Sequence, residues 1–522
     1  LTKQGFVVKK PLSLIASVFS GILLFLSFPP VGASFCGWIA LAPLILVCAN
    51  SAPRRAAFLG WLTGAVFFLG TLYWLRHVTW LGAIGLALYC ALYFMPLAVF
   101  VSLRRDSWRS MNAVKNLGWL TGAAAIWAAA EYVRAIFATG FPWNMLGVSQ
   151  HQELAFIQIA EWGGVYAVSA VMVFFNAALA VTVLQYISGL RHTYRMHTEL
   201  LCAVMAVALV WAFGIHRLLS RPSGEQTPVR AALIQPNVPE VGNWDRSDPE
   251  VVYEKLERLT GLARRVPGID LMIWPETALP DFVRFSERSA GLVRRMVSNS
   301  VPLLAGSMDA IWRADNQPDY YNASMLFDAQ GDLLKTYYKQ HLVLFGEYIP
   351  FDGQIALINA LTPIGSSFLP GRHATLFKRP GDRRGFCALI CFEDSLPYLA
   401  RRAAHAGATW LINQTNDSWF DPDCGSAQHL ANAVFRCVET RLPMLRCANT
   451  GLTCAIDPYG RVTRTLEPRT EGFQVAEIVP SDPDRPATFY VRFGDLFAQA
   501  CLTGSVALFI VLFLTRRKPD HA

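Results

Sequence analysis

Phe386-Cys387-Ala388-Leu389-Ile390-Cys391-Phe392-Glu393-Asp394 decides how the second half of this 522-residue chain is read. An apolar, strand-like run ends at Cys391, two acids follow shortly, and a helical pattern occupies 397–406. A strand that turns directly into a helix presents its last residues at the sheet edge, the usual place for chemistry in α/β folds. A lone cysteine there is more often inert core than nucleophile. What stands elsewhere in the same domain therefore decides between the two.

Working outward, β-rich runs recur at 229–235, 271–274, 301–305, 324–327 and 409–413, with a helical pattern over 249–265. Strands alternating with helices predict a layered α/β domain, and its 223–486 extent is a normal size for one domain. Two more segments carry reactive groups. Ile273-Trp274-Pro275-Glu276-Thr277 places a carboxylate directly after a strand. By itself that is more often a helix cap. Tyr338-Lys339-Gln340-His341-Leu342-Val343-Leu344-Phe345-Gly346-Glu347-Tyr348 sets Lys, His and Glu among aromatics, and by itself reads as a half-buried loop with an ion pair.

Together the three segments read differently. A thiol that attacks an acyl carbon needs a base, donors for the oxyanion and a strand end that presents the sulfur. Glu276, Lys339 and Cys391 supply those parts. A serine triad has no comparable support, because no G-x-S-x-G elbow occurs. His341, His405 and His429 lack ligand-like spacing with the cysteines, so neither a metal nor another cofactor is expected.

The first half is different material. The whole chain is 53% hydrophobic and only 16% charged, against roughly 25% charge in soluble domains. Apolar runs at 12–28, 35–49, 56–75, 78–103, 117–137, 156–187 and 200–218, and again at 496–514, predict about eight transmembrane helices. The expected division is a membrane domain over 1–222, a catalytic domain over 223–486, and an eighth helix with a tail over 487–522.

The net charge of +8 is unevenly distributed. Up to Leu218 there are 14 Lys and Arg against 5 Asp and Glu; the remaining 32 basic and 33 acidic residues nearly cancel. Isolated cations between apolar runs do not make a nucleic-acid groove. They do orient a membrane protein. Lys3, Lys9, Lys10, Arg54, Arg55, Arg104, Arg105, Arg109, Lys115, Arg191 and Arg195 fall on alternate loops, and Arg516, Arg517 and Lys518 join the same side. The positive-inside rule makes that side cytoplasmic, with both termini, and puts the catalytic domain across the membrane. Glu131 and Arg134, three apart on one helix face, are expected to form a local pair.

The order Trp-Pro-Glu, Lys-x-His-Leu-x-x-Phe-Gly-Glu and Cys-x-Glu resembles the nitrilase, or carbon-nitrogen hydrolase, superfamily with its Glu-Lys-Cys triad. The spacings agree, 63 residues from Glu276 to Lys339 and 52 from Lys339 to Cys391. Leu411-Ile412-Asn413-Gln414-Thr415-Asn416-Asp417-Ser418-Trp419-Phe420, Gln428-His429-Leu430 and Arg446-Cys447-Ala448-Asn449-Thr450-Gly451 extend the match. With the Gly140-Phe141-Pro142-Trp143 loop and the flanking spans, the whole chain resembles the apolipoprotein N-acyltransferase family.

That resemblance implies a polytopic α-helical membrane domain plus an αββα nitrilase-like sandwich in the inner membrane of a Gram-negative cell. It implies transfer of an sn-1 acyl chain from a phospholipid to the α-amine of a diacylated apolipoprotein, through a thioester. Cys391 would be the nucleophile and Glu276 the general base. Lys339 and the Phe392 backbone N–H would stabilise the oxyanion. Glu347 and Glu393 would support them, and Trp244 and Trp143 would contact substrate. Two positions depart from the family pattern: Leu344 stands where Pro precedes Phe-Gly-Glu, and Phe392 stands where Tyr follows the cysteine. A backbone role survives the second change; a hydroxyl role does not.

A donor lipid must stay in hydrocarbon, since drawing a C16 chain into water costs about 0.8 kcal/mol per CH₂, roughly 12 kcal/mol in all. The spans and apolar loops are expected to admit it sideways. A membrane-anchored amidase that discharges its thioester to water, and a transporter with a structural insert, are the competing readings. Cys387 and Cys391 share a strand face at period two, yet sit about 13 Å apart at about 3.3 Å per residue, too far for a disulfide.

Overall fold

The computed structural model describes residues 10–104, 112–187, 197–220, 227–238, 248–297, 301–344, 346–348, 367–379, 382–420 and 424–516. The chain divides into two compact units, Pro222–Val491 and a second made of Leu1–Arg221 with Arg492–Ala522.

The unit Pro222–Val491 is built on two six-stranded sheets. Its strands are β1 (Val229–Gln235), β2 (Leu271–Ile273), β3 (Leu303–Trp312), β4 (Pro318–Phe327), β5 (Leu333–Tyr338), β6 (Phe377–Lys378), β7 (Gly385–Ile390), β8 (Ala408–Thr415), β9 (Met444–Ala448), β10 (Thr453–Ile456), β11 (Val462–Leu466) and β12 (Gly472–Ile478). One sheet has the order β12-β1-β2-β3-β4-β5 and the other β11-β10-β9-β8-β7-β6. In the first, β1, β2 and β3 are parallel; in the second, β7, β8 and β9 are.

Side-chain alternation along β1 explains the layering. Ala231 and Leu233 join an inner cluster with Phe386, Ala388 and Ile390 of β7 and Ile412 of β8. Ala232 and Ile234 join an outer cluster with Val252, Leu256 and Leu259 of helix Pro249–Ala263 and Leu292 and Met296 of helix Glu287–Val297. Period two thus gives each strand one face for the other sheet and one for a helix layer. Helices Pro397–His405 and Gly425–Thr440 serve the second sheet, and the whole is an αββα sandwich. Asp248 caps helix Pro249–Ala263 by accepting from the Glu250 N–H, and Pro249 opens it where no N–H is needed.

Several strands differ from the expected runs. β3 continues to Trp312 and pairs along its whole length with β4, from Leu303 opposite Phe327 to Trp312 opposite Pro318. β5, which is not among the expected runs, adds the sheet edge.

The other unit is helical. Among the described residues, four helices are long and apolar enough to cross a membrane: Trp80–Ser102, Ala160–Ile187, Thr198–Leu219 and Leu496–Thr515. The expected count of about eight is not reached by that criterion. Run 35–49 folds as a 3₁₀ turn, Ser34–Trp38, and a seven-residue helix, Ala42–Cys48, which at about 1.5 Å per residue spans only a fraction of a bilayer. Helix Trp80–Ala91 passes through a 3₁₀ turn at Leu92–Phe94 into Met95–Ser102, which has Pro96 in its first turn. Run 156–187 is broken at Gly163 and Gly164, whose backbone angles leave the helical region.

Glu131 and Arg134 both turn to the loop that follows their helix. Glu131 accepts from the Trp127 indole (2.9 Å) and the Leu146 N–H (2.7 Å). Arg134 donates to the Phe141 and Trp143 carbonyls at 2.8 and 2.7 Å. Their task is to hold that loop. Glu161 pairs with Arg217 at 2.8 Å. No disulfide joins any of the eleven cysteines.

Candidate active site

Each of the three reactive groups follows the end of a strand. β4 runs antiparallel to both β3 and β5, so β5 runs in the same direction as β2. Glu276, three residues beyond β2, and Lys339, directly after β5, therefore leave the same edge of one sheet. Cys391 leaves the end of β7 in the other.

The close approach of Glu276 depends on Gly306 of β3. A Cβ there would lie 2.1 Å from the Pro275 carbonyl oxygen, and the Gly306 carbonyl instead accepts from the Ala278 N–H at 3.0 Å. The Glu276 carboxylate is held on both oxygens. Oε1 accepts from Asn322 Nδ2 (2.8 Å) and Lys339 Nζ (3.4 Å), and Oε2 from the Asn416 N–H (2.8 Å). Burial, reinforced by the Glu347 charge, raises its pKa against the opposing pull of Lys339.

Lys339 is 1% exposed and lies between two carboxylates, 2.9 Å from Glu347 and 3.4 Å from Glu276. Burial disfavours its charge, but Glu347 and Glu276 outweigh burial and its pKa is raised. The ammonium is permanent at any physiological pH. Glu347 accepts on Oε1 from Lys339 and Asn322 and on Oε2 from the Val343 N–H at 2.9 Å.

Cys391 has φ +52°, and it opens the 3₁₀ turn Cys391–Ser395. This left-handed residue corrects the expectation that Cys387 and Cys391 share a face. Cys387 points to the helix layer, where its sulfur approaches the Ala403 carbonyl, whereas Cys391 joins the inner cluster between the sheets. Burial pushes the Cys391 thiol pKa well up, Glu276 adds to the rise, and Lys339 and a hydrogen bond with Thr415 oppose it. The resting group is a neutral thiol that must lose a proton before it can attack.

Glu393 is used as a strap. Its Oε1 accepts from the Gln340 and His341 N–H groups at 2.7 and 3.1 Å. Its Oε2 accepts from the Tyr337 hydroxyl and the Ile390 N–H, both at 2.8 Å. One carboxylate thereby ties the segment bearing Lys339 to the strand end bearing Cys391. Burial pushes its pKa up to about 7 in spite of these four donors. Phe392 lies with its ring centroid 5.9 Å from that of His341, and His341 meets the Tyr398 hydroxyl at 3.1 Å.

Trp244 and Trp143 are the two tryptophans expected at the substrate. Trp244 lies outside the described residues. Trp143 belongs to the helical unit, is 0% exposed between Trp74 and Phe141, and presents no surface to a ligand in this structure. Asn322 was not singled out by the sequence, yet its single amide nitrogen bridges Glu276 and Glu347. A polar residue in the middle of Tyr321-Asn322-Ala323-Ser324-Met325, on a strand otherwise packed into the core, was the available signal.

A buried carboxylate, a buried cation and a thiol on converging strand ends of an αββα sandwich define a carbon-nitrogen hydrolase type of domain. Residues 230–484 match the carbon-nitrogen hydrolase family, and residues 20–178 match the apolipoprotein N-acyltransferase N-terminal domain. The apolipoprotein N-acyltransferase of Geobacter metallireducens is 34% identical, over 97% of this chain and 96% of its own. That of Allorhizobium ampelinum is 32% identical, over 88% and 89%. A Saccharomyces cerevisiae member of branch 10 of the nitrilase superfamily superposes with a TM-score of 0.38 at 18% identity, over 50% of this chain and 93% of that one. This chain belongs to the apolipoprotein N-acyltransferase family.

Proposed function

We propose that this protein is a membrane N-acyltransferase that moves an acyl chain from a phospholipid to the N-terminal amine of a diacylated apolipoprotein. The observation that carries the reading is the Glu276-Lys339-Cys391 cluster in a chain similar over nearly its whole length to named apolipoprotein N-acyltransferases.

In the first half-reaction the Cys391 sulfur attacks the sn-1 ester carbonyl as Glu276 takes the thiol proton. A C–S bond forms, the carbonyl π pair moves to oxygen, and Lys339 with the Phe392 N–H stabilises that charge. Collapse expels the lysophospholipid alkoxide, which recovers the proton from Glu276. In the second half-reaction the lipoprotein α-amine attacks the thioester, Glu276 takes an amine proton, and the Cys391 thiolate leaves and is reprotonated. A carboxyl with a raised pKa suits both directions of this transfer. Glu347 holds Lys339, and Glu393 acts through the backbone it ties. Trp244 and Trp143 remain assigned to substrate on family resemblance alone.

The enzyme is read as an inner-membrane protein with its 223–486 domain in the periplasm and both termini cytoplasmic. Support comes from the basic residues on alternate loops. Intact-mass spectrometry after incubation with phospholipid tests the function. An acyl mass is expected on Cys391, absent in Cys391→Ala and removed by a diacylated lipopeptide. Discharge by water as fast as by the lipopeptide would make the protein an amidase-type hydrolase instead.

A further inference from the structure

Below the nucleophile lies a cluster that the mechanism above does not use. Asp394, Asp417, His429 and Arg446 are each at most 2% exposed. Arg446 binds Asp394 at 2.5 Å and Asp417 at 3.0 Å. His429 Nδ1 lies 3.0 Å from Asp417 Oδ1 and 2.8 Å from Arg446 Nη2. His429 Nε2 lies between two oxygens, Asp394 Oδ1 at 2.7 Å and the Cys391 carbonyl at 3.2 Å. A ring nitrogen between two acceptors carries a hydrogen in either charge state of the ring. The same Cys391 carbonyl accepts from Asn413 Nδ2 at 3.0 Å, and Asn413 Oδ1 is in turn fixed by Arg446 at 2.9 Å.

The carbonyl of Cys391 and the N–H of Phe392 belong to one planar trans peptide, so they point in opposite directions. Two donors clamped on the carbonyl therefore aim the N–H. They also polarise the amide, which strengthens that N–H as a donor. The clamp closes on a residue at φ +52°, a conformation that surrounding contacts must enforce in a non-glycine residue.

We propose that Asn413 and His429, held by Arg446, Asp394 and Asp417, are positioning residues that lock the Cys391–Phe392 peptide from behind and so preorganise the oxyanion site. This deepens the acyl-transfer reading and rests on Cys391 being its nucleophile.

The test uses the full-length protein in detergent with two probes. A p-nitrophenyl acyl ester reports thioester formation through a tetrahedral oxyanion. Iodoacetamide alkylates Cys391 by displacement at a saturated carbon and needs no oxyanion site; its rate is read across pH beside the acylation rate, so that a shifted thiol pKa, which moves both, is told from a lost donor, which moves acylation alone. Asn413→Asp turns the donor facing the carbonyl into an acceptor, and His429→Gln removes the ring. Loss of one oxyanion donor costs about 10²–10³ in rate, so a misaimed donor should slow the acylation burst about 10- to 100-fold. Alkylation should stay within about twofold on the same argument. Unchanged acylation in both variants, or an equal fall in acylation and alkylation, overturns the proposal. If His429→Gln does not fold, Asn413→Asp decides. A wild type that acylates on the nitrophenyl ester but never on phospholipid sinks the functional reading and leaves the clamp standing.

Discussion

Glu276→Gln is the most informative single change, because it keeps volume while removing one negative charge. The carboxylate is an acceptor to three donors: Asn322 and Lys339 on Oε1 and the Asn416 N–H on Oε2. An amide offers one acceptor oxygen, and whichever way it flips its NH₂ meets a donor. With the oxygen toward Asn322 and Lys339, the Asn416 N–H loses its partner, a cost of about 1–3 kcal/mol in stability. The chemical loss is separate. A positioned general base contributes about 10²–10⁴ in rate, roughly 3–5 kcal/mol at about 1.4 kcal/mol per factor of ten. One effect runs the other way: the Glu276 charge raises the Cys391 pKa, so its removal lets the thiol ionise more easily.

The expected pH profile follows. In the wild type, acylation falls as acid protonates Glu276, and burial places that limb above the ordinary carboxylate range. Glu276→Gln should be slower near neutrality by about 10²–10⁴, lack the acid limb, and climb about tenfold per pH step as hydroxide replaces the base. Rapid-quench intact-mass measurement of acyl-Cys391 across pH reads all three. A neutral rate within about tenfold of wild type, with the acid limb unmoved, would refute the base assignment.

Lys339→Met leaves Glu276 and Glu347 sharing only Asn322, and breaking such a buried pair costs about 3–5 kcal/mol. Glu276, whose pKa burial already raises, then loses the opposing pull of Lys339 and retains its proton to still higher pH than in the unfolded chain. That contribution is present at low pH and lost as pH rises, so the stability gap to wild type should widen with pH in urea titrations; a gap that narrows contradicts it. For Glu393, whose folded pKa of about 7 exceeds its unfolded value, the same sign holds: stability is lost as pH rises through about 7. Glu393→Gln should melt lower than wild type and with a flatter pH dependence, checked by thermal melts on both sides of neutrality. Gly306→Ala sets a Cβ against the Pro275 oxygen at 2.1 Å, so it should cost about 1–3 kcal/mol and displace Glu276. Acylation should fall while iodoacetamide still labels Cys391; unimpaired acylation would show that the approach is not needed.

What the sequence could and could not reveal follows from the range of the forces involved. Glu276 and Cys391 were legible because each follows a short apolar run, a local pattern that marks a strand end whatever the rest of the chain does. β5 was not, because Leu333, Leu334 and Lys335 are exposed on a sheet edge and show no clean alternation. The expected run 301–305 stops before Gly306-Ser307-Met308-Asp309, although β3 continues through these residues. Asp309 is fully buried there, paid for by a 2.7 Å bond from the Tyr338 hydroxyl and a 2.8 Å ion pair with Arg284, both distant in sequence. In the helical unit, composition marked the apolar runs, but continuity depends on single residues such as Pro96 and the Gly163-Gly164 pair. The orientation of Cys391 shows the limit most sharply. Period two sends it to the face of Cys387, and one left-handed residue reverses that. The contacts on its carbonyl come from β8 and from helix Gly425–Thr440, 22 and 38 residues away. No window around the cysteine contains them. A motif therefore identifies the reacting atoms, while the direction in which they point is set by groups that only the assembled sheet and helix bring underneath.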